Sequence, residues 1–238
     1  MSLQTSLPRT RLAAALDVLA ERGWFADRDA RARGLIGAEA RLRVFEPGQA
    51  LYRVGDPSDG LYGLVEGTVR ISFPRDDGED LVLHRFDPGA WLGDLAHFAG
   101  VERLVSVSAV TPTCTVHLSA EALERIVAAH PDLWRDFYAL SHMNFRTTLR
   151  VLANTLGTDS ERRVALRLLQ MDEDAGEPER GIAIPQTELA AIVGISVPTL
   201  QRVLRRLGEA GLIDASYGRV RVRDRSTLLR RLAEDRPR

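Results

Sequence analysis

The stretch from Pro185 to Leu207 reads Pro-Gln-Thr-Glu-Leu-Ala-Ala-Ile-Val-Gly-Ile-Ser-Val-Pro-Thr-Leu-Gln-Arg-Val-Leu-Arg-Arg-Leu, and it gathers side chains suited to nucleic-acid contact. An arginine fork can bond both acceptors on the guanine edge at once, and a glutamine amide can do the same on adenine. Arg202 and Gln201 are the residues of those types here. Thr199 or the Pro198 ring can touch a thymine methyl group or the backbone, and Val197 shares their outward face. Arg205 and Arg206 better suit phosphates. Gln186, Thr187 and Ser196 complete the candidate contacts of this segment. This is recognition chemistry, not bond making or breaking.

Such side chains need a scaffold, and the same residues supply one. Leu189, Ala190 and Val193 give a short first helix an inner face, Gly194 makes the turn, and Leu200, Val203, Leu204 and Leu207 give the second helix its own. Ser196 is a good N-cap and Pro198 suits a first helical turn. Two short helices meeting at a glycine turn form a helix-turn-helix. Beyond Gly211-Leu212-Ile213, the run from Ala215 to Arg223 alternates about a Tyr217-Gly218 turn, as a β-hairpin wing does, with Arg219 at its tip as a backbone-contact candidate. The competing reading is an unrelated helical hairpin with charged faces. Turn glycine, cap, apolar spacing and wing all favour the first.

Charge placement agrees. The chain of 238 residues has a formal net charge of -1, and all 32 basic residues are arginine. From Ser196 to Arg238 there are eleven arginines against Glu209, Asp214, Asp224, Glu234 and Asp235. A cationic end on a neutral chain fits a polyanion partner, with a solvated arginine-rich surface as the plainer alternative.

Upstream the texture differs. Between Leu42 and Leu118, short segments rich in Val, Leu, Tyr and Phe are interrupted by turn formers: Pro47-Gly48, Gly55-Asp56-Pro57, Asp59-Gly60, Glu66-Gly67, Asp77-Gly78 and Asp87-Pro88-Gly89. The spacing predicts an antiparallel roll, because parallel strands would need helical crossovers that are missing. Before it, Leu12, Leu16 and Leu19 predict a helix over Arg9–Arg22, and Asp27 can cap a second ending near Gly37. After it, Ser119 can cap a helix to about Ala129, and Pro131 opens a longer one to about Leu156. On that helix Tyr138, Phe145 and Leu152 recur every seven residues, the spacing of a paired seam, although a helix packed against its own domain remains the alternative. Gly157-Thr158-Asp159 breaks the helix, Asp159 or Ser160 can cap the next, and Asp172 to Gly181 reads as an exposed loop.

The resulting class is α+β. N-terminal helices occupy 1–38, a β-roll (jelly roll) sensor 39–130, a central dimerisation helix 131–157 and a winged helix-turn-helix 158–238. With 45% apolar residues and no apolar run of membrane-spanning length, the expectation is a cytoplasmic chain without a membrane partner. The single cysteine, Cys114, excludes a disulfide framework or a multi-cysteine cluster on one chain, and it reads as filler. His84, His97, His117, His130 and His142 are scattered and read as ordinary histidines rather than metal or haem ligands. No nucleophile with a base and no phosphate-cradling glycine loop points to an enzyme.

From about Leu42 to Arg223 the chain resembles the cyclic-AMP receptor protein and fumarate-nitrate regulator family of bacterial transcription regulators. Phe45-Glu46-Pro47-Gly48, Gly55-Asp56, Asp59-Gly60-Leu61-Tyr62, Glu66-Gly67-Thr68-Val69-Arg70 and Asp87-Pro88-Gly89 carry the likeness in the roll, and Pro185–Leu207 carries it in the helix-turn-helix. The resemblance implies a parallel homodimer on double-stranded DNA with a palindromic operator, half-sites roughly 34 Å apart, and contact with RNA polymerase. It also implies an effector site in the roll. The family's phosphate-binding cassette falls here at Gly93-Asp94-Leu95-Ala96-His97-Phe98, ending at Arg103-Leu104-Val105. There a short helix and an arginine, Arg103, would hold an anion, and Thr148 would approach from the central helix.

Departures from the family pattern leave the effector open. Asp94 is one carbon shorter than the usual acidic residue, Leu104 stands where a small residue is usual, Leu149 replaces a serine seen in some relatives, and Val197 and Pro198 replace a common Arg and Glu. The alternatives are cAMP, another small anionic ligand, and a ligand-independent or different signal. A structural Arg103 buried against Asp94 is the plain reading of that pair. In function, the alternative to a DNA-binding regulator is a ligand-binding adaptor whose helix-turn-helix serves protein contacts.

Overall fold

The computed structural model describes residues 9–74, 80–155, 159–175, 181–216 and 218–234. The Asp77-Gly78 turn, the helix-breaking Gly157-Thr158 and the wing residue Tyr217 lie outside the described residues. The chain divides into two compact units, Met1–Thr147 and Thr148–Arg238. The division falls inside the long helix, whereas the sequence reading put a boundary near 157.

In the first unit, helices α1 (Arg9–Glu21) and α2 (Ala30–Glu39) precede strands β1 (Arg41–Phe45), β2 (Ala50–Tyr52), β3 (Gly60–Glu66), β4 (Val69–Pro74), β5 (Asp80–Phe86) and β6 (Trp91–Leu92). Helix α3 (Asp94–Ala99), strands β7 (Ser106–Ala109) and β8 (Thr113–Ser119), helix α4 (Ala120–Ala129), a 3-10 turn (Pro131–Leu133) and helix α5 (Trp134–Thr155) follow. The strands form two four-stranded sheets, ordered β1-β8-β3-β6 and β2-β7-β4-β5, with every pairing antiparallel. This is the expected roll.

Strand β3 shows why the roll holds. Successive side chains of a strand point to opposite faces, and both faces here are covered. Tyr62 and Leu64 join Phe45, Leu51, Val69, Leu92 and Val107 in one apolar cluster, while Leu61 joins Leu19, Trp24, Trp91, Leu118 and Phe137 in another. Gly60 opens the strand at φ +123°, where a Cβ would come 1.9 Å from the Leu118 carbonyl oxygen. Only glycine fits that turn.

The second apolar cluster binds the N-terminal helices to the roll. Trp24 packs edge-on to Trp91 at 5.3 Å and stacks on Phe137 at 5.7 Å, and its indole Nε1 donates to the Asp136 carbonyl at 2.6 Å. Arg28 pairs with the Asp136 carboxylate. The α2 cap is Asp29, accepting from the Ala32 amide at 2.7 Å, and not Asp27 as the sequence suggested. The chain is still turning at Asp27, with Ala26 bonded to Gly23 and Arg28 to Phe25, so Asp29 is the residue with the extended backbone a cap needs. Ser119 caps α4 as expected. Pro131 opens the 3-10 turn, and α5 itself begins at Trp134.

The second unit holds helix α6 (Ser160–Ala175), strand β9 (Ile182–Ala183), helices α7 (Gln186–Val193) and α8 (Val197–Glu209), strands β10 (Ile213–Ser216) and β11 (Arg219–Val222), and helix α9 (Arg225–Glu234). The sheet order is β10-β11-β9, so the wing hairpin gains a third strand. Asp159 caps α6, accepting from the Arg162 amide at 3.1 Å. Asp172, expected at the start of an exposed loop, is instead buried in the last turns of α6. Arg225 explains this, bonding the Leu169 carbonyl at 3.2 Å and the Asp172 carboxylate at 3.4 Å. Among the described residues, no helix is long and apolar enough to cross a membrane.

Candidate functional site

Helices α7 and α8 are joined by Gly194 at φ +70°, the left-handed conformation that ends one helix and redirects the chain into the next. Ser196 then caps α8, its hydroxyl accepting from the Thr199 amide at 3.4 Å, with Pro198 in the first turn. Leu189, Ala190 and Val193 on α7 and Leu200, Val203, Leu204 and Leu207 on α8 are all buried. Their burial fixes which side of α8 faces solvent. Pro198, Gln201, Arg202, Arg205 and Arg206 are exposed, Val197 and Thr199 half-buried, and on α7 Thr187 is exposed and Gln186 half-buried.

The exposed side chains are not equally free. Arg202 Nη2 donates to Thr199 Oγ1 at 3.2 Å, and Gln201 Nε2 donates to Gln186 Oε1 at 3.1 Å. Arg205 lies 3.9 Å from Glu209 on its own helix. Arg206 is drawn to Glu161 at 3.4 Å, and Arg231 of α9 holds the same carboxylate at 3.0 Å. On the wing, Asp214 takes Arg221 at 2.7 Å and Arg223 at 3.4 Å, and Arg219 is exposed at the hairpin.

In the first unit, Gly93 and Asp94 begin α3, with Gly93 at φ +100°. A Cβ there would come 2.6 Å from Arg103 Nη1, so the glycine makes room for the arginine. Arg103 is turned inward, its side chain 1% exposed. Its Nη1 donates to the Gly93 carbonyl at 2.8 Å, and its Nη2 to the Gly60 carbonyl at 2.7 Å and to Asp59 Oδ1 at 2.8 Å. The guanidinium also lies 4.1 Å from the Tyr52 ring centroid, a cation-π contact, and burial pushes the Tyr52 phenol well above its ordinary range. The acid facing Arg103 is thus Asp59, not Asp94.

Asp59 is a hub. Burial alone would raise its carboxyl, but His117, 3.5 Å away, the Tyr62 hydroxyl and Arg103 together hold it well below the usual carboxylate range. Arg43 reaches the same carboxylate at 3.2 Å. Asp94 is buried too, with Oδ1 accepting from Asn144 Nδ2 of α5 at 2.7 Å, while the same amide donates to the Trp91 carbonyl at 3.0 Å. Asp94 Oδ2 and Arg103 Nε are buried without a partner among the described residues.

Leu95 and Leu104 are exposed rather than turned in, and Leu104 lines an open groove of about 620 Å³ with Val54, Phe73 and Val101. Thr148 is exposed on α5, at the start of the second unit. Tyr138, Phe145 and Leu152 are exposed on that helix, Tyr138 at 75%. Burial raises the Cys114 thiol, which disfavours the thiolate, and the described residues contain no cluster that could hold a metal ion. Sequence reasoning missed Asp59 and Asn144. Asp59 stands in the sequence as part of an Asp-Gly turn and of the Asp59-Gly60-Leu61-Tyr62 segment, and no local signal marks Asn144 on its long helix.

Residues 42–130 match the cyclic nucleotide-binding domain model, and residues 162–231 match the Crp-like helix-turn-helix domain model, in that order on one chain. The chain belongs to the Crp/Fnr family of transcription regulators. This regulator is 27% identical over 220 residues to the CRP-like cAMP-activated global transcriptional regulator of Mycobacterium tuberculosis, covering 90% of this chain and 98% of that one. Among solved structures it is similar to the c-di-GMP responsive global regulator CLP of Xanthomonas campestris, at 26% identity and TM-score 0.65, over 82% of this chain and all of the other. It is similar as well to a transcriptional regulator of the CRP/FNR family from Thermus thermophilus, at 27% identity and TM-score 0.64, over 83% of this chain and all of the other. The Mycobacterium relative is named for activation by cAMP and the Xanthomonas one for its response to c-di-GMP.

Proposed function

We propose that this regulator binds a two-fold-symmetric operator as a homodimer, reading each half-site with α8 in the major groove. The observation that carries the reading is the two-sidedness of α8: four buried leucine and valine residues on one side, and Gln201, Arg202 and Arg205 in solvent on the other. Arg202 is assigned to a guanine edge and Gln201 to an adenine edge, with Val197, Pro198 and Thr199 against a thymine methyl or the backbone. Gln186, Thr187, Ser196, Arg205, Arg206 and the wing residue Arg219 are assigned to the phosphate backbone and to register.

Tyr138, Phe145 and Leu152 are assigned to the dimer seam along α5, since exposed apolar side chains at seven-residue spacing are stabilised by a second copy of the same helix. RNA polymerase is the protein partner this reading implies, and the cytoplasm the compartment. The roll is assigned to a small effector, cAMP or another small anionic molecule. Asp94 Oδ2 and Arg103 Nε support a polar ligand near α3, being buried atoms with hydrogen-bonding capacity to spare.

Fluorescence anisotropy with the duplex upstream of the chain's own gene, repeated across salt concentrations, tests the core of this reading. Specific, saturable binding that weakens steeply as salt rises is expected, because arginine-phosphate contacts release counterions. Failure to retain any duplex at low salt would overturn it.

A further inference from the structure

We infer that Gln186, at the start of α7, is a specificity-determining positioning residue that holds Gln201 of α8 in the orientation which reads adenine. The inference rests on the assignment of α8 as the recognition helix and deepens it. Its basis is hydrogen-bond accounting. A glutamine amide has one carbonyl oxygen and two N–H donors. A two-point contact with the adenine edge takes the oxygen and one N–H, because adenine presents N6–H as donor and N7 as acceptor. The other N–H is left over. In this regulator Gln201 Nε2 donates one hydrogen bond to Gln186 Oε1 at 3.1 Å. What remains on Gln201 is one donor and one acceptor, the complement that adenine requires.

The two glutamines meet across the helix-turn-helix, fifteen residues apart in the chain, so the contact depends on the Gly194 turn and on the packing of α7 against α8. Gln201 is exposed, and an unsupported exposed amide samples several rotamers and both amide orientations. Flipped, it would offer its donors where N6–H sits. With its Oε1 turned toward Gln201, Gln186 accepts from the nitrogen end and favours that orientation over the flipped one. It also lowers the ordering cost of binding, because a side chain already held in place loses less rotamer freedom on the base. Arg202 has comparable support from Thr199 Oγ1 at 3.2 Å, itself 2.9 Å from the Ser196 hydroxyl. Adjacent readers on α8 are thus each buttressed by a neighbour.

The test is selection of bound duplexes from a randomised pool by the full-length regulator and three variants, followed by affinity measurements on single-base changes of the enriched site. The wild type is expected to enrich a site with adenine at one position of each half-site, and Gln201→Ala to lose that preference. Gln186→Ala should relax the same position by about tenfold, the size of one well-made base contact. Gln186→Glu keeps an acceptor, so the adenine preference should survive while overall affinity falls through repulsion from phosphate. Circular dichroism and the preference at the position read by Arg202 should stay unchanged in all three. If Gln186→Ala leaves the Gln201 position as selective as before, or relaxes a different base pair, the inference is wrong while the recognition helix stands. If the wild type enriches no motif at all, the assignment of α8 falls, and this inference with it.

Discussion

Arg103 Nη2 and Asp59 Oδ1 meet at 2.8 Å, joining a guanidinium that is 1% exposed to a carboxylate that is 42% exposed. The pair ties the loop after α3 to the start of β3, and two backbone carbonyls accept from the same guanidinium. A buried arginine needs a counter-charge, and removing one partner of such a pair leaves the other uncompensated. Asp59→Asn is therefore expected to destabilise the roll by about 1–3 kcal/mol, less than a fully buried pair because solvent screens the exposed acid. Urea unfolding of wild type and variant checks it.

The pH dependence follows from the same carboxylate, which His117, the Tyr62 hydroxyl and Arg103 hold in its charged form. The folded-state carboxyl of Asp59 is held below its ordinary value, so the stability it contributes is present in full above that value and is lost as pH falls toward the folded one. The difference in Tm between wild type and Asp59→Asn should be constant near neutrality and shrink below about pH 4, the ordinary carboxylate range. A gap that widens on acidification would contradict the assignment.

Gly60 is expected to tolerate no side chain. A Cβ there meets the Leu118 carbonyl oxygen at 1.9 Å in a backbone at φ +123°, whereas a Cβ on Gly48, φ +83°, meets nothing within 4 Å. Gly60→Ala should yield little folded protein. Gly48→Ala should fold with a loss of about 1–2 kcal/mol, the cost of a left-handed non-glycine residue. Soluble yield and thermal melting separate the two.

Arg202→Ala should cost on the order of 1–3 kcal/mol of operator affinity and relax preference at one base pair of each half-site. Arg205→Ala, read as a phosphate contact, should instead weaken all duplexes alike and flatten the salt dependence. Matched titrations on operator and single-base variants distinguish these outcomes, and equal selectivity in Arg202→Ala and wild type would refute the base-reading role.

Phe145→Glu probes the dimer seam. Phe145 is 56% exposed on α5, so the change should leave the fold intact while placing two like charges at the seam of a dimer. A monomer by light scattering, with unchanged circular dichroism and much weaker operator binding, is the expected result. A stable dimer would move the seam elsewhere.

The DNA-binding segment was legible in the sequence because its information is local. Helical spacing at Leu200, Val203, Leu204 and Leu207, the turn at Gly194 and the cap at Ser196 all act within a few residues, and each is found where the chain order put it. The roll was legible as a class for the same reason, since turn formers punctuate its strands. Where neighbours compete for one local role, the reading slipped: Asp27 and Asp29 are equally good caps by type, and the preceding turns chose Asp29.

What tertiary structure alone decided were the partners. Arg103 and Asp59 are 44 residues apart, Asn144 and Asp94 50 apart, and Gln186 and Gln201 lie on different helices. Residue type says that a buried arginine needs an acid, but which acid depends on how two sheets and a turn converge. Hydrogen bonding requires approach to about 3 Å, a condition that spacing along a chain cannot specify once the chain has folded back on itself.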